Sequence, residues 1–347
     1  MYKRVGTQTI QFELPPRLIS SASIVGELEG KGPLGEYFNL ILEDDTWGEQ
    51  TWEKAERKMF ETSVRMALEK VKLSAQDLDC LLGGDLLNQI ITANYAAREL
   101  NIPFLGLYGA CSTMAQSLLI GAMMIDGGFA KRVACTATSH FSTAERQYRF
   151  PLEMGSTTPP TAQRTVTGAG TSILCEINTA SGDQGVFKSI SVTGGTIGRV
   201  VDFGISDASN MGAAMAPAAR DTFLMNLKDM NRTVDYYDLI VTGDLGKFGS
   251  EMFVDLCDQS GVNVSDKHYD CGNAIFGSEL KEGCGGSGCG CSAVVLNAYL
   301  TGQMESGNLN RVFFMATGAL MSPTSGLQSD SIPGIAHGVI LERRLPV

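Results

Sequence analysis

No stretch of this sequence is apolar for long enough to cross a bilayer. The longest candidate, Ser117 to Ile125, is broken by Asp126 and two glycines. It falls far short of the roughly 20 residues that a spanning helix needs, so direct membrane insertion is not expected. Positive charge is also scarce: 27 Lys and Arg stand against 38 Asp and Glu, a formal net charge of −11. Such a surface repels nucleic-acid phosphates and anionic headgroups, which argues against both as direct partners. The opening segment MYKRVGTQTIQFELPPR has no apolar core of the secretory type, so no signal peptide is expected. Histidine is rarer still, with three in 347 residues. A nucleophile that needs an imidazole base has only His140, His268 and His337 to draw on.

Glycine and cysteine are plentiful. The 40 glycines call for many tight turns and close backbone approaches. The nine cysteines are an odd number and are spread along the chain, as with Cys80 in LDCLL and Cys175 in SILCEI. That pattern reads as reduced, buried thiols in a cytosol-like compartment, not as a disulfide framework.

An internal repeat organises the chain. LDCLLGGDLL (Leu78 to Leu87) is an apolar strand ending in Gly-Gly-Asp, and YDLIVTGDLG (Tyr237 to Gly246) has the same form. A glycine turn, Cys111, an apolar helix and the strand RVACTAT follow Tyr108; the segment from Gly286 repeats that order, with Cys289 in the place of Cys111. Each half closes with a strand after a glycine, GAGTSILCEI and HGVILERR. The pattern predicts two similar βαβαββ halves, 1–182 and 183–347, with largely parallel strands under helices. Within the first half, Ala55, Met59, Val64 and Leu68 mark a helix somewhere in Thr46 to Ser74. The stretch Gly155 to Thr165 reads as a loop, and Val200 to Arg220 as an insertion near the site.

Cys111 is the sharpest chemical candidate. It sits on a strand-to-helix turn, where the positive end of a helix lowers a thiol pKa and offers N–H groups to an anion. His140, just after the following strand, is the best placed of the three possible bases. His268, Cys271, Cys284, Cys289 and Cys291 fall together in a glycine-rich region, but their spacing matches no CxxC pair; no metal or cofactor is expected. The string GCGGSGCG lacks the lysine of a phosphate-binding loop.

In this order of elements the whole chain resembles the thiolase superfamily, including the ketoacyl synthases. The resemblance implies a layered α-β-α-β-α fold, a cleft at Cys111, and a homodimer formed through a strand beside that turn, for which RVACTATS would serve. It also exposes departures. Asp244, in VTGDLG, stands where those enzymes carry a histidine. Cys289, in SGCGCSA, stands at their asparagine- or histidine-bearing motif. A carboxylate there repels the developing negative charge of a condensation, and a thiol is a poor donor. The runs LISSASIVGELEGKGPLGEYFN, GACSTMAQ, ATSHFSTAERQYRFPLE and GVFKSISVTGGTIG resemble more closely a branch of that superfamily, the stage V sporulation proteins of endospore formers. This resemblance implies a non-enzymatic protein at the inner spore membrane. It would bind dipicolinic acid or its calcium chelate and work with the stage V membrane proteins of the transport machinery. A planar dianion needs cationic forks or clustered N–H groups beside a flat apolar wall. Arg146 and Arg149, in the run Glu145 to Phe150, are the expected partners of one carboxylate, with His140 as a further donor. Cys111, Asp244 and Cys289 complete the expected site. Two rival readings are an acyltransferase using Cys111 and a purely structural subunit.

Overall fold

A computed structural model describes residues 3–148, 159–177, 190–277 and 283–344. The boundary expected near residue 182 lies outside the described residues, as does Arg149. The first half runs β1 (Arg17–Val25), α1 (Trp52–Lys70), β2 (Cys80–Gly84), α2 (Ile91–Leu100), β3 (Phe104–Gly106), α3 (Thr113–Asp126), β4 (Arg132–Ser139), α4 (Phe141–Tyr148) and β5 (Gly168–Cys175). The second runs β6 (Ile190–Thr196), α5 (Met211–Asp229), β7 (Leu239–Thr242), α6 (Gly246–Asp258), β8 (His268–Asp270), α7 (Cys271–Phe276), α8 (Cys289–Val295), β9 (Arg311–Ala319) and β10 (Gly334–Arg343).

The strands lie in the order β3-β2-β4-β5-β1-β6-β10-β9-β7-β8. Read outward from the middle, the two halves repeat one topology. In each, the two outer pairings are parallel and the two inner ones antiparallel. The halves join where Arg17 of β1 meets Ser191 of β6. Each half has two helices and a short edge strand more than the expected unit (α2, α4 and β3; α6, α7 and β8). These strands are three residues each, too short to show an alternating pattern. The sheet is mixed, not largely parallel, because the closing strand of each half turns back between its neighbours.

Helix composition explains the layering. Helix α3 buries Met114, Leu118, Leu119, Ala122 and Ile125 on more than one face, and it packs on strands of both halves. A helix apolar all round belongs in the interior. Helix α8 lies with it in the middle layer, between the two halves of the sheet. The outer helices are one-sided. In α1, Ala55, Met59, Ser63, Val64 and Ala67 face the first-half sheet, and the Thr51 side chain caps the Lys54 N–H. Helix α5 covers the second-half sheet, but residues 211–219 are buried all round, between the sheet and α6, and only its later turns are one-sided. The result is five layers, α-β-α-β-α.

Three local expectations change. The strand RVACTATS is β4, hydrogen-bonded on one side to β2 and on the other to β5, so it has no free edge for a second copy. The outer edge of the first half is β3. The expected insertion 200–220 divides into coil and the first turns of α5. The end of the expected loop 155–165 forms a short parallel pairing, Arg164–Thr165 with Gly286–Ser287.

Candidate functional site

The turn before α3 is strained and pressed. Ala110 has φ +49°, a left-handed conformation that costs a non-glycine residue about 1–2 kcal/mol. Beneath it lies Gly318 of β9, where a Cβ would fall 2.5 Å from the Gly109 carbonyl oxygen. This close approach aims Cys111 at the seam between the halves, with Ser112 at the N-cap of α3.

The two halves bring Cys111, Asp244 and Cys289 together there. Asp244 follows β7 and is fully buried. Its Oδ2 accepts from the Gly288 N–H at 3.0 Å and its Oδ1 from the Thr317 hydroxyl at 2.7 Å. The Cys111 thiol hydrogen-bonds the same carboxyl. Burial pushes the Asp244 carboxyl up to about 7, against those three donors. Cys289 starts α8 and donates its thiol to the Thr138 carbonyl at 2.9 Å. Gly288 has φ +100°, and a Cβ there would sit 2.7 Å from Ser139 Oγ; only glycine can bring that N–H to Asp244. Asp270 fixes the turn that carries Asp244. It accepts from the Leu245 and Gly246 N–H groups at 2.8 and 3.0 Å, from Asn273 N–H at 3.0 Å, and from the Thr242 hydroxyl at 2.7 Å.

The helix dipole does not decide the state of Cys111. Burial, then the neighbouring carboxyl of Asp244 and the Cys289 thiol, raise its pKa well above the ordinary value, and one backbone N–H, from Gly288, acts in the other direction. Cys111 is a protonated thiol, not a thiolate poised for attack.

Above this cluster lies a small pocket, partly open to solvent, with a cavity volume of about 40 Å³. Tyr108 and Tyr148 form one wall, Met211 and Met321 another, with Cys111 and Glu145 also facing it. The tyrosine hydroxyls are 3.0 Å apart, and that of Tyr148 donates to the Leu86 carbonyl at 2.7 Å, so Tyr108 donates to Tyr148. Among the described residues the lining holds no lysine, arginine or histidine. Behind it, Asp85 accepts from the Leu87 and Ala93 N–H groups at 2.8 Å each, and burial raises its carboxyl to about 6. Glu56 is buried nearby, raised by burial and by Asp85, with one oxygen lacking a hydrogen-bond partner.

The other expected residues lie elsewhere. His140 is buried, its Nδ1 accepting from the Ser142 N–H at 3.2 Å, which leaves Nε2–H to donate to the Asp45 carbonyl at 2.7 Å. Burial lowers its pKa, so it is neutral and fully engaged. His268 pairs with the Thr242 hydroxyl and His337 accepts from the Gly198 N–H, both lowered to about 4 by burial. Arg146 pairs with Glu53 and lies over the Trp52 ring, with its side chain 45% exposed. The helical period explains this: Glu145 and Tyr148 share the face of α4 toward the pocket, and Arg146 is turned about 100° away. Sequence reasoning missed Tyr108, Thr317, Gly288 and Asp270. Only Asp270 had a local signal, an N-cap three residues before Asn273 at the start of α7. No group of three or more His, Cys, Asp or Glu among the described residues can hold a metal ion.

Comparison with known proteins agrees with this architecture. The chain is similar to 3-oxoacyl-[acyl-carrier-protein] synthase III from Aquifex aeolicus, at TM-score 0.57 and 14% identity over 94% of this chain and 99% of that one. It is similar to cerulenin-bound OleA of Xanthomonas campestris, at TM-score 0.61 and 12% identity over 96% and 97% of the two chains. Human mitochondrial 3-ketoacyl-CoA thiolase is similar at TM-score 0.57 and 13% identity, over 96% and 99%. These likenesses establish a thiolase-like fold. In sequence, the chain is 47% identical over 341 residues to stage V sporulation protein AD of Bacillus subtilis (strain 168), covering 98% of each. Residues 6–342 match the family described as Stage V sporulation protein AD (SpoVAD). The chain belongs to the stage V sporulation protein AD family.

Proposed function

We propose that this sporulation protein is a non-catalytic binding component that holds dipicolinate, free or as its calcium chelate, in the pocket above Cys111. The observation that carries the reading is the contact between Cys111 and Asp244. It replaces an activated thiolate with a protonated thiol against a carboxyl, while leaving an open pocket above them. The pocket suits a planar ring: two tyrosines and two methionines supply flat and adaptable apolar walls, and the hydroxyls of Thr165 and Ser287 supply polar contacts. Arg146 is no longer assigned to a carboxylate. The protein would work at the inner spore membrane through the membrane proteins of the transport machinery, since no described helix is long and apolar enough to cross a bilayer. A homodimer is part of the proposal, formed along β3, whose outer edge has no partner strand among the described residues and whose Leu105 is 50% exposed.

Calorimetric titration with dipicolinate tests the proposal directly. Saturable binding at one site per chain supports it; the absence of binding with both the free acid and the calcium chelate overturns it. Incubation with acyl-CoA and malonyl thioesters should give no condensation product, and turnover of about 1 per second would place the chain among the enzymes.

A further inference from the structure

The carboxyl of Asp244 touches Cys111, which lines the pocket, and is held by uncharged donors: the Gly288 N–H, the Thr317 hydroxyl and the Cys111 thiol. The titratable groups that act on it from the packed elements are acids and thiols. They are Asp270 at the end of β8, Cys271 on α7, Cys289 and Cys291 on α8, and Cys111 on the turn before α3. Glu145 of α4 faces the pocket, and Asp85 and Glu56 act on Cys289 from behind it. An anion that enters meets no cation among the described lining residues. The repulsion is relieved most simply by a proton on a carboxyl of the site. Glu145 lines the pocket and accepts from the Thr165 hydroxyl, whereas Asp244 lies fully buried beneath Cys111 among uncharged donors, where burial disfavours its charge.

We propose that the pocket takes up a proton together with an anionic ligand, and that Asp244 is the group that receives it. This rests on the reading of the pocket as a dicarboxylate site.

The direction of the pH effect follows from the geometry. In the empty protein, burial holds Asp244 at about 7. A ligand carboxylate above Cys111 raises it further. Between the empty and the occupied values, the complex holds one proton more than the free protein. Affinity therefore falls as pH rises above about 7, by up to tenfold per pH unit for one proton. Below that value Asp244 is protonated in both states and the affinity levels off. A pyridine dicarboxylate is itself fully ionised over this range, so the slope reports the protein.

The test is calorimetry of the full chain with sodium dipicolinate, freed of calcium, in phosphate and in Tris across roughly pH 6.5 to 8.5. The two buffers differ in ionisation heat, so the difference in observed heat counts the protons exchanged. The expected result is uptake of about one proton per ligand at the alkaline end, with affinity falling there. The variant Asp244→Asn should bind without proton uptake and with flat affinity. If it does not fold, Thr317→Val serves instead: loss of that hydroxyl donor moves the fall in affinity to higher pH. Wild-type binding with no buffer dependence overturns the inference, as does unchanged uptake in Asp244→Asn. No binding at any pH overturns the reading of the pocket itself.

Discussion

At the scale of single residues, the site is a set of strained or buried groups whose cost can be measured. Ala110 at φ +49° is the clearest case. Ala110→Gly should change stability by less than about 1 kcal/mol, because relief of strain offsets the greater freedom of the unfolded glycine chain. Ala110→Val should lose at least about 2 kcal/mol, since a β-branched side chain tolerates this conformation poorly. Chemical denaturation of both variants decides it; equal losses would show that the turn is not strained. Asp244 makes a pH-dependent prediction. Its folded pKa of about 7 lies above the ordinary 3.8, so the folded state binds the proton more tightly. The stability it contributes is complete below about pH 4 and is lost as pH rises toward 7, at up to about 1.4 kcal/mol per pH unit. Asp244→Asn keeps the size of the side chain without the charge. It should raise the melting temperature at alkaline pH and leave it nearly unchanged at about pH 4, in contrast to a variant that merely breaks packing. The buried histidines run the other way, gaining stability as pH rises from about 4, and they cancel in this comparison because both proteins keep them.

At the scale of elements, helix α4 decides what the pocket touches, and strand β3 forms the outer edge of the first half. The sequence run from Glu145 to Phe150 was legible as basic and aromatic, but not the face each residue takes. Composition treats neighbours alike, whereas one step along a helix is about 100°. Arg146→Ala should therefore leave dipicolinate affinity within about twofold, while Ser287→Ala should lower it by roughly two- to tenfold through the loss of one neutral hydrogen bond. A large loss for Arg146→Ala would put the ligand on the other side of α4. The strands around Cys111 were legible from their apolar runs and glycine turns. The edge strands were not, because three residues carry no period. That is why the interior strand β4, apolar and close to Cys111, looked like a dimer edge. Leu105→Asp on β3 should convert the proposed dimer to a monomer in sedimentation velocity. A chain that sediments as a monomer without the substitution contradicts the β3 interface.

At the scale of the whole molecule, the duplicated topology was the most legible feature, since Gly-Asp after a strand and cysteine before a helix occur in both copies. Meeting of Cys111, Asp244 and Cys289 at the seam follows from that duplication, which sets equivalent turns of the two halves against one another. The protonation of the cluster was not legible. It depends on how deeply the seam is buried and on the Asp244 carboxyl set beside Cys111, both of which raise the thiol. The proposed function holds that this seam carries a binding pocket without condensing activity. Its most direct test is calorimetric titration of dipicolinate into the wild-type chain and into Cys111→Leu, with folding of both checked by circular dichroism. The account predicts saturable binding to one site per wild-type chain and a loss of at least about tenfold, near 1.4 kcal/mol, when leucine fills the space above Asp244. Equal affinity for the two proteins, or no binding to the wild type, would contradict it.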